Sequence, residues 1–428
     1  MDEKLYQDYV NILREELVPA MGCTEPIAIA YAAALAGKTL DTVPEKLDVC
    51  VSGNIIKNVK SVIVPNTGGM HGIEAAAAAG ALLGDADREL EVLSVIRAED
   101  IPALRRYMEE AEICVSRAET DRVFEIRLTA FSGTHSAGVF ITDHHTNVVE
   151  IRKDQQIIFR ADPEAEQNAG KTDHSVLTIE HIVEFAEAAD LKDVSETLER
   201  QIACNTAIAR EGLDHPYGAR IGQILLDAGG DGVQNQAKAW AAAGSDARMS
   251  GCDMPVVINS GSGNQGITVT LPVVKYAEHL QVSHEKLLRA LIIANLTAIR
   301  LKAGIGCLSA YCGATTAGCG AAAGITYLYG GGLREISHTI VNTLAINSGV
   351  VCDGAKASCA AKIASSIEAG LLGMHMFQRG SEFRSGDGIV TKGVENTIDN
   401  IGDLARNGMA GTDREIIDIM LSRCPRMD

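Results

Sequence analysis

The N-terminal forty residues show apolar positions at the spacing of a helix. In residues 4–18 apolar side chains recur every three to four positions, and the pattern stops before Pro19. A second stretch with this period begins at Thr24, whose hydroxyl suits an N-cap, and an acidic residue and a proline follow in its first turn. The sequence therefore predicts two helices separated by a short turn that contains Cys23.

Between residues 45 and 170 the period changes from that of a helix to that of a strand. Short apolar runs bounded by turn residues, which are typical of strands, occur at 46–53, 59–65, 90–96, 112–118, 123–131 and 147–153. Helical spacing returns near 72–84 and 98–110, and the polar residues 154–175 predict a linker. The region is therefore predicted to be an α/β sandwich-like domain.

From residue 177 onward nearly all of the chain has the helical period. The clearest stretches are residues 178–189, 193–212, 283–304 and 334–349. We place the domain boundary near residue 175, which gives an α/β domain over 1–175 and a larger all-α domain, rich in Gly and Ala, over 176–428. The fold class is therefore predicted to be α+β.

Charge and composition exclude some classes of function. The 428 residues carry a formal net charge of -18, which argues against nucleic acid and against anionic membrane surfaces, because both require clusters of Lys and Arg. Residues 303–333 lack charge but contain nine glycines, so a buried helix and loop is favoured over a membrane span. The acidic N-terminus lacks the apolar core of a signal peptide, so we expect a cytoplasmic protein.

Eleven cysteines are many for a cytoplasmic chain, in which disulfides are uncommon. Cys50, Cys114 and Cys424 lie in strand-like or terminal sequence and are interpreted as ordinary small side chains, whereas Cys204 and Cys252 are left open. Five others fall within 53 residues: Cys307, Cys312, Cys319, Cys352 and Cys359. This clustering is the strongest chemical signal in the sequence.

The spacing of these cysteines leaves three interpretations open. Cys312 and Cys319 are seven positions apart, as are Cys352 and Cys359, and the chain has no CxxC pair of the kind that builds structural zinc sites. Iron–sulfur clusters tolerate wider spacing, and a cluster held by three thiolates leaves one iron open to substrate. The glycines that suggest a close approach of the backbone to such a group are Gly313, Gly318, Gly320 and Gly354. The spacing is therefore compatible with an iron–sulfur cluster, with a zinc site and with packed free thiols.

Four motifs resemble those of the L-cysteine desulfidase family, which is related to the alpha chain of the iron–sulfur-dependent L-serine dehydratases. The motifs are MGCTEP (21–26), NSGSGNQG (259–266), CGATTAGCGAAAG (312–324) and CDGAKASCA (352–360). The resemblance covers essentially the whole chain and implies a [4Fe-4S] cluster held by three cysteines. By this resemblance Cys352 and Cys359 match the cysteines of the Cys-Asp motif, and Cys312 is the third ligand.

The sequence departs from the dehydratase pattern at one point. That pattern has Cys-Asp-Pro, whereas Gly354 follows Cys352 and Asp353 here, and the spacing to the second cysteine is shorter. Cys319 is therefore retained as the alternative ligand to Cys359.

Cys23 has a separate role in the resemblance. The cysteine of the MGCTEP motif belongs to the active site of the desulfidase family, which implies that Cys23 is a catalytic thiolate base or a fourth ligand displaced by substrate. Its place just before a helix predicts a lowered thiol pKa, because the helix N-terminus favours negative charge. A buried helix-cap cysteine is the alternative.

An α-amino acid substrate requires donors for its carboxylate and acceptors for its ammonium group. The glycine-rich turn at 259–266 predicts an anion-binding nest with Ser260, Ser262 and Asn264. Further polar candidates at predicted strand ends and helix starts are Asn54, Asn58, Asn66, Thr67, His71, Thr134 and His135. For each of these a purely structural hydrogen bond is the alternative.

The resemblance implies a non-redox lyase that releases sulfide, ammonia and pyruvate from L-cysteine by β-elimination. An L-serine dehydratase with the same cluster is one alternative. A pyridoxal-phosphate lyase is another, although none of Lys302, Lys356 and Lys362 stands in a Schiff-base pattern. A thiol protein that senses metal or redox state without catalysis is the third. Assembly into a homo-oligomer is left open.

Overall fold

The computed structural model describes residues 1–120, 122–161, 172–306 and 308–422. The strands are β1 (Pro19–Met21), β2 (Lys46–Val51), β3 (Glu112–Arg117), β4 (Glu125–Ser132), β5 (His135–Thr142), β6 (Val148–Lys153), β7 (Gln156–Arg160) and β8 (Pro255–Val257). The helices of the first half are α1 (Glu3–Glu16), α2 (Thr24–Leu40), α3 (Gly53–Val59), α4 (Gly72–Leu83), α5 (Ile101–Glu110), α6 (Ile179–Ala188) and α7 (Ser195–Asp214). Those of the second half are α8 (Ile221–Gly229), α9 (Val233–Met249), α10 (Gly263–Leu280), α11 (His284–Ile305), α12 (Gly313–Leu328), α13 (Leu333–Ile346), α14 (Cys359–Gln378), α15 (Val394–Asp403) and α16 (Ala410–Ser422).

The N-terminal part consists of a six-stranded sheet covered by helices. Its strand order is β3-β2-β4-β5-β6-β7, with β2 and β3 parallel and the other pairs antiparallel. In β2 the side chains of Leu47, Val49 and Val51 are buried, while those between them are partly exposed. The apolar face lies under α2, which packs on β4 and β5 and against the alanine-rich α4.

The C-terminal part is a bundle of helices around α12, which packs against α10, α11, α13 and α14. The glycines of α12 lie at these helix contacts: a Cβ at Gly318 would overlap Ser366 of α14, and a Cβ at Gly320 would overlap the carbonyl of Ala294 in α11. Their absent side chains let the helix backbones approach one another. The prediction that these two glycines make room for a bound group is therefore wrong.

Helix α1 belongs to the core of the C-terminal helices. Its buried Tyr9, Ile12 and Leu13 lie in the same apolar cluster as the bundle, and the Tyr9 ring is 5.3 Å from the ring of Phe185, centroid to centroid. Strand β1, which follows α1, pairs with β8. The first helix thus packs with elements beyond residue 175, and a domain boundary at that residue stays a prediction.

The predicted α+β class is confirmed, with a sheet region followed by a helical part. Two predicted strands are wrong. Residues 59–65 begin with the last residue of α3 and form a single bridge, Ile63 with His71. Residues 90–96 contain the end of a 3-10 helix and a turn, which bury Val92 and Leu93. Both neighbours of β2 are occupied by β3 and β4, so these apolar runs are buried without entering the sheet there.

The sequence analysis did not predict two strands of the sheet. β5 is the missed partner of β4, and β7 lies within the predicted polar linker. Residues 162–171 of that linker lie outside the described residues. No helix in the described ranges is long and apolar enough to cross a membrane; the uncharged segment 303–333 contains the end of α11 and all of α12.

Asp246 of α9 is a fully buried carboxyl group that makes stability depend on pH. Its Oδ2 accepts a hydrogen bond of 3.0 Å from the backbone N–H of Gly222, but no described residue donates a hydrogen bond to its Oδ1. Burial raises the pKa of Asp246 from 3.8 to about 6, although hydrogen bonds from the α8 backbone oppose the shift. Because the folded-state pKa is the higher one, the stability penalty is absent below about pH 4, grows as the pH rises from about 4 to 6, and is fully present above that.

An Asp246→Asn variant is therefore expected to gain stability relative to the parent as the pH rises. Between pH 5 and pH 7.5 the difference in unfolding free energy should increase by about 1 kcal/mol. Urea unfolding at several pH values measures this difference. Asp214→Asn, at an exposed position, serves as the control. Parallel pH profiles for the Asp246 variant and the parent would contradict the assignment.

Candidate active site

A cavity of about 850 Å³ lies between the sheet region and the helical bundle. The sheet region contributes Phe124 and the loop 143–146 to its lining. The bundle contributes Cys312, Cys352 and Cys359, and the N-terminal residues of α2 and α10 also line it. The cavity therefore brings together the cysteine motifs and the glycine-rich turn that the sequence singled out.

Four helices, α2, α10, α12 and α14, begin at this cavity. None of their N-cap side chains makes a capping hydrogen bond; these residues are Cys23, Ser262, Cys312 and Ser358. The first N–H groups of a helix have no partner within the helix, and the helix dipole is positive at this end. These four helix N-termini therefore offer backbone hydrogen-bond donors to an anionic group in the cavity.

A backbone pairing places the two cysteine motifs side by side. The N–H of Cys312 donates to the carbonyl of Val350 at 2.9 Å, and the N–H of Cys352 donates to the carbonyl of Ala310 at 2.6 Å. An antiparallel bridge joins the residues between them. Two segments forty residues apart in sequence thus present their first cysteines to one another.

The three predicted ligand thiols interact with one another. The thiol of Cys312 donates to the sulfur of Cys352; this hydrogen bond and the nearby Lys57 lower the pKa of Cys352, while the same bond raises the pKa of Cys312. Burial raises the pKa of Cys359, whose Sγ lies 3.8 Å from the carbonyl oxygen of Gly354. Cys352 is therefore the member of this group most readily present as thiolate.

Gly354 explains the departure from the dehydratase motif. Its φ of +94° is unavailable to proline, and a Cβ would overlap the carbonyl oxygen of Lys57. The side chain of Lys57 is buried in an ion pair with Asp413 of α16, and Asn54 donates to the same carboxylate. The turn after Cys352 is thus packed directly on α3, which leaves space for glycine alone.

Asp353 ties the same loop to α14. Its carboxylate forms ion pairs with Lys356 at 2.6 Å and Lys362 at 2.5 Å. Burial acts to raise the pKa of Asp353, but the two lysines outweigh it and lower the pKa to about 2. At neutral pH these two ion pairs therefore stabilise the loop between Cys352 and Cys359.

Cys23 is buried in the cavity wall at the N-cap of α2. Its Sγ lies 3.9 Å from the sulfur of Met249. Burial raises the pKa of Cys23 to about 12; Arg248 acts to lower it and Glu25 to raise it. The predicted lowering is wrong, because the loss of hydration outweighs the helix dipole and Arg248. Thr24, predicted as the cap, is instead the first residue of the helix.

The glycine-rich turn lies beside Cys23. Thr24 donates from its hydroxyl to the carbonyl of Gly261 at 3.1 Å, which joins the two segments. The three predicted substrate contacts of this turn, Ser260, Ser262 and Asn264, all line the cavity. Their side chains and the N-terminus of α10 supply donors on one side of the cavity.

Six other predicted substrate contacts lie outside the cavity lining. They are Asn54, Asn66, Thr67, His71, Thr134 and His135. Asn66 and Thr67 bond to backbone carbonyls in their own region, and His135 pairs with Asp154 on an exposed hairpin. Asn58, named with Asn54, does line the cavity.

Cys319, the alternative ligand, is buried inside α12. Its Sγ lies 3.9 Å from the carbonyl oxygen of Ile340 in α13, at a helix interface and outside the cavity lining. Cys307, also in the cysteine-rich region, lies outside the described residues. In the described ranges no three His, Cys, Asp or Glu side chains are arranged to hold a single metal ion.

The sequence did not predict a substrate-binding role for several charged residues of the cavity wall, among them Glu25, Arg248 and Lys302. Glu25 stands inside the MGCTEP motif, so its position there was a usable signal. Its carboxylate accepts a hydrogen bond from Asn58 at 3.0 Å and lies 3.2 Å from the Thr24 hydroxyl, whose one proton is shared between Glu25 and Gly261. Arg248 and Lys302 lie in ordinary helical sequence, and only the tertiary structure brings them to the cavity.

Comparison with known proteins identifies the family of this chain. The family model of the serine dehydratase alpha chain matches residues 87–418, which include both cysteine motifs and the glycine-rich turn. A UPF0597 protein of Desulfitobacterium hafniense (strain Y51) is 53% identical over 422 residues, covering 99% of this chain and 98% of that protein. UPF0597 proteins of Lachnoclostridium phytofermentans and Treponema denticola are 49% and 45% identical, each over 98% of this chain and 100% and 99% of their own lengths. The relation predicted from the motifs is confirmed, and the chain belongs to the serine dehydratase alpha chain family.

Proposed function

We propose that this chain is a lyase that releases sulfide, ammonia and pyruvate from L-cysteine by β-elimination. The observation that carries the proposal is the meeting of Cys312, Cys352 and Cys359 at one cavity whose wall also holds donors and acceptors for an amino acid. Membership of the serine dehydratase alpha chain family supports a lyase of this general kind. A cytoplasmic location, a homo-oligomeric state and the absence of nucleic-acid partners stay predictions.

The residues of the cavity fit a [4Fe-4S] cluster. Each thiolate of such a cluster binds a different iron, so its ligands stand further apart than ligands around a single metal ion. Cys312, Cys352 and Cys359 border the same cavity at the positive ends of two helices, and Lys57 and Lys302 favour the thiolate of Cys352. When bound there, the cluster would supply an open iron that acts as a Lewis acid toward the leaving group on Cβ.

The chain's own residues would bind and orient the amino acid. The carboxylate of Glu25, held by Asn58 and Thr24, is placed to accept the α-ammonium group. Ser260, Ser262 and the N-terminus of α10 offer hydrogen-bond donors to an anionic group. In this proposal Cys23 acts as a neutral thiol that donates a hydrogen bond, since its raised pKa disfavours a thiolate base.

L-serine is the second candidate substrate, because the matching family is that of the serine dehydratases. The two substrates differ only in the leaving group on Cβ, and a sulfur leaving group suits a thiophilic iron better than a hydroxyl does. Of the lysines that a pyridoxal-phosphate mechanism would use, Lys356 and Lys362 are engaged in ion pairs with Asp353.

Measurements on protein purified without oxygen test the proposal. We expect about four irons per chain, a matching content of acid-labile sulfide, and pyruvate formation that is faster from L-cysteine than from L-serine. Faster turnover of L-serine would make the protein a serine dehydratase. Trapping of a lysine by borohydride would indicate pyridoxal phosphate. Absence of iron and of pyruvate after reconstitution would overturn the proposal and leave the thiols as packed side chains or redox sensors.

A further inference from the structure

Arg248 is a buried cation in the cavity wall. It lies at the C-terminal end of α9 with 3% of its surface exposed. Among the described residues its Nε has no hydrogen-bond partner, and no carboxylate forms an ion pair with its guanidinium group. Burial of an unpaired charge is costly unless a partner of opposite charge is supplied. The wall therefore holds a positive group that is prepared for an anion.

The surroundings of Arg248 are also built for an anion. A Cβ at Gly263, the first residue of α10, would overlap the Arg248 side chain, so the glycine makes room for the guanidinium group. The backbone N–H groups of Gly263, Asn264 and Gln265 make no hydrogen bond within the described chain, and Ser262 does not cap them. A helix N-terminus and a buried arginine thus face the same space.

The charges around Cys23 indicate which anion fits. Glu25 follows Cys23 by two residues, and Arg248 precedes Met249, whose sulfur lies 3.9 Å from the Cys23 Sγ. Both charged residues line the cavity near Cys23. The α-carboxylate and α-ammonium groups of an amino acid match this pair.

We propose that Arg248, together with the N-terminus of α10, binds the α-carboxylate of an L-amino acid. A guanidinium group donates two parallel hydrogen bonds to a carboxylate, which both holds and orients it. The carboxylate site selects free amino acids over their amides and esters. The identity of the ligand as a substrate rests on the proposed lyase function; the carboxylate site itself does not.

Calorimetric titration of the anaerobic holoprotein with L-alanine and L-alaninamide tests this site. L-alanine has no leaving group on Cβ, so binding is measured without turnover. The parent is expected to bind L-alanine about 100-fold more tightly than the amide, and Arg248→Gln should bind both equally weakly. Arg248→Lys, which keeps the charge, should lose about 10-fold. Lys238→Gln, on the same helix but outside the cavity lining, should bind like the parent.

The outcomes separate this inference from the lyase proposal. Binding of L-alanine through Arg248 without pyruvate formation from any amino acid would keep the carboxylate site and overturn the lyase. If Arg248→Gln formed pyruvate with an unchanged KM, the lyase proposal would stand and the carboxylate site at Arg248 would be excluded. Loss of iron or of folding in Arg248→Gln, together with unweakened binding in Arg248→Lys, would assign Arg248 to the cluster or to the fold.

Discussion

A Cys352→Ala variant is expected to lose its iron and more than about 10³-fold of its lyase activity. The reason is that the residue supplies the thiolate most favoured by its neighbours, through the hydrogen bond from Cys312 and the charge of Lys57. A bound metal acting as a Lewis acid contributes several kcal/mol to transition-state stabilisation, and each 1.4 kcal/mol corresponds to about a tenfold change in rate. Iron content, visible absorbance and pyruvate release in the same anaerobic sample measure the effect.

Matched cysteine variants decide the ligand set. Cys359→Ala is expected to behave like Cys352→Ala, because its thiol borders the same cavity. Cys319→Ala should keep its iron and lose only about 1 kcal/mol of stability, since it removes a small side chain from a helix interface. Cys114→Ala changes an exposed thiol and is the control. If Cys359→Ala kept all of its iron and Cys319→Ala lost it, Cys319 would be the cluster ligand and Cys359 a packed thiol.

A Gly354→Ala variant is expected to lose most of its iron while the rest of the protein stays folded. The left-handed backbone at this position costs a residue with a side chain about 1–3 kcal/mol, and the new methyl group would overlap the carbonyl oxygen of Lys57. The loop that carries Cys352 and Cys359 must then shift. We expect at least a tenfold loss of retained iron and of activity, with an unchanged far-ultraviolet circular dichroism spectrum.

Gly349→Ala is the matched control, because a Cβ at that position meets nothing within 4 Å. Gly354→Pro would restore the residue of the dehydratase motif, yet it should be at least as damaging as alanine, since proline cannot adopt a φ of +94°. Iron retention at the parent's level in Gly354→Ala would show that the loop is free to rearrange.

The local pattern predicted the elements whose structure is decided by their own residues. Helices α1, α2, α4 and α5 and strands β2, β3, β4 and β6 lie where the period of the apolar side chains placed them. The runs at 59–65 and 90–96 failed because a short apolar run is equally compatible with a buried turn. Their exclusion from the sheet depends on which partners flank β2, and that is a property of the whole sheet.

The candidate site likewise contains some features that local sequence predicts and others that depend on the tertiary structure. The cysteine motifs and the glycine-rich turn could be found in the sequence, since their residue types and spacing are unusual in a helical chain. Most of the polar candidates near residues 54–71 and 134–135 lie elsewhere, because a single histidine or asparagine carries no information about which surface it faces. The raised pKa of Cys23 likewise depends on burial, which a motif does not report.

By itself, the sequence determined the α+β class, the family relation and the segments that carry the thiols, because periodicity and motif spacing are local properties. Only the tertiary structure decided that Cys312 lies beside Cys352, that Gly354 packs on Lys57 and that Arg248 is buried in the cavity wall. These relations join residues far apart in the chain. They exist only once the helices pack and exclude water, so the charges and hydrogen bonds of the site are set by burial and not by neighbours in sequence.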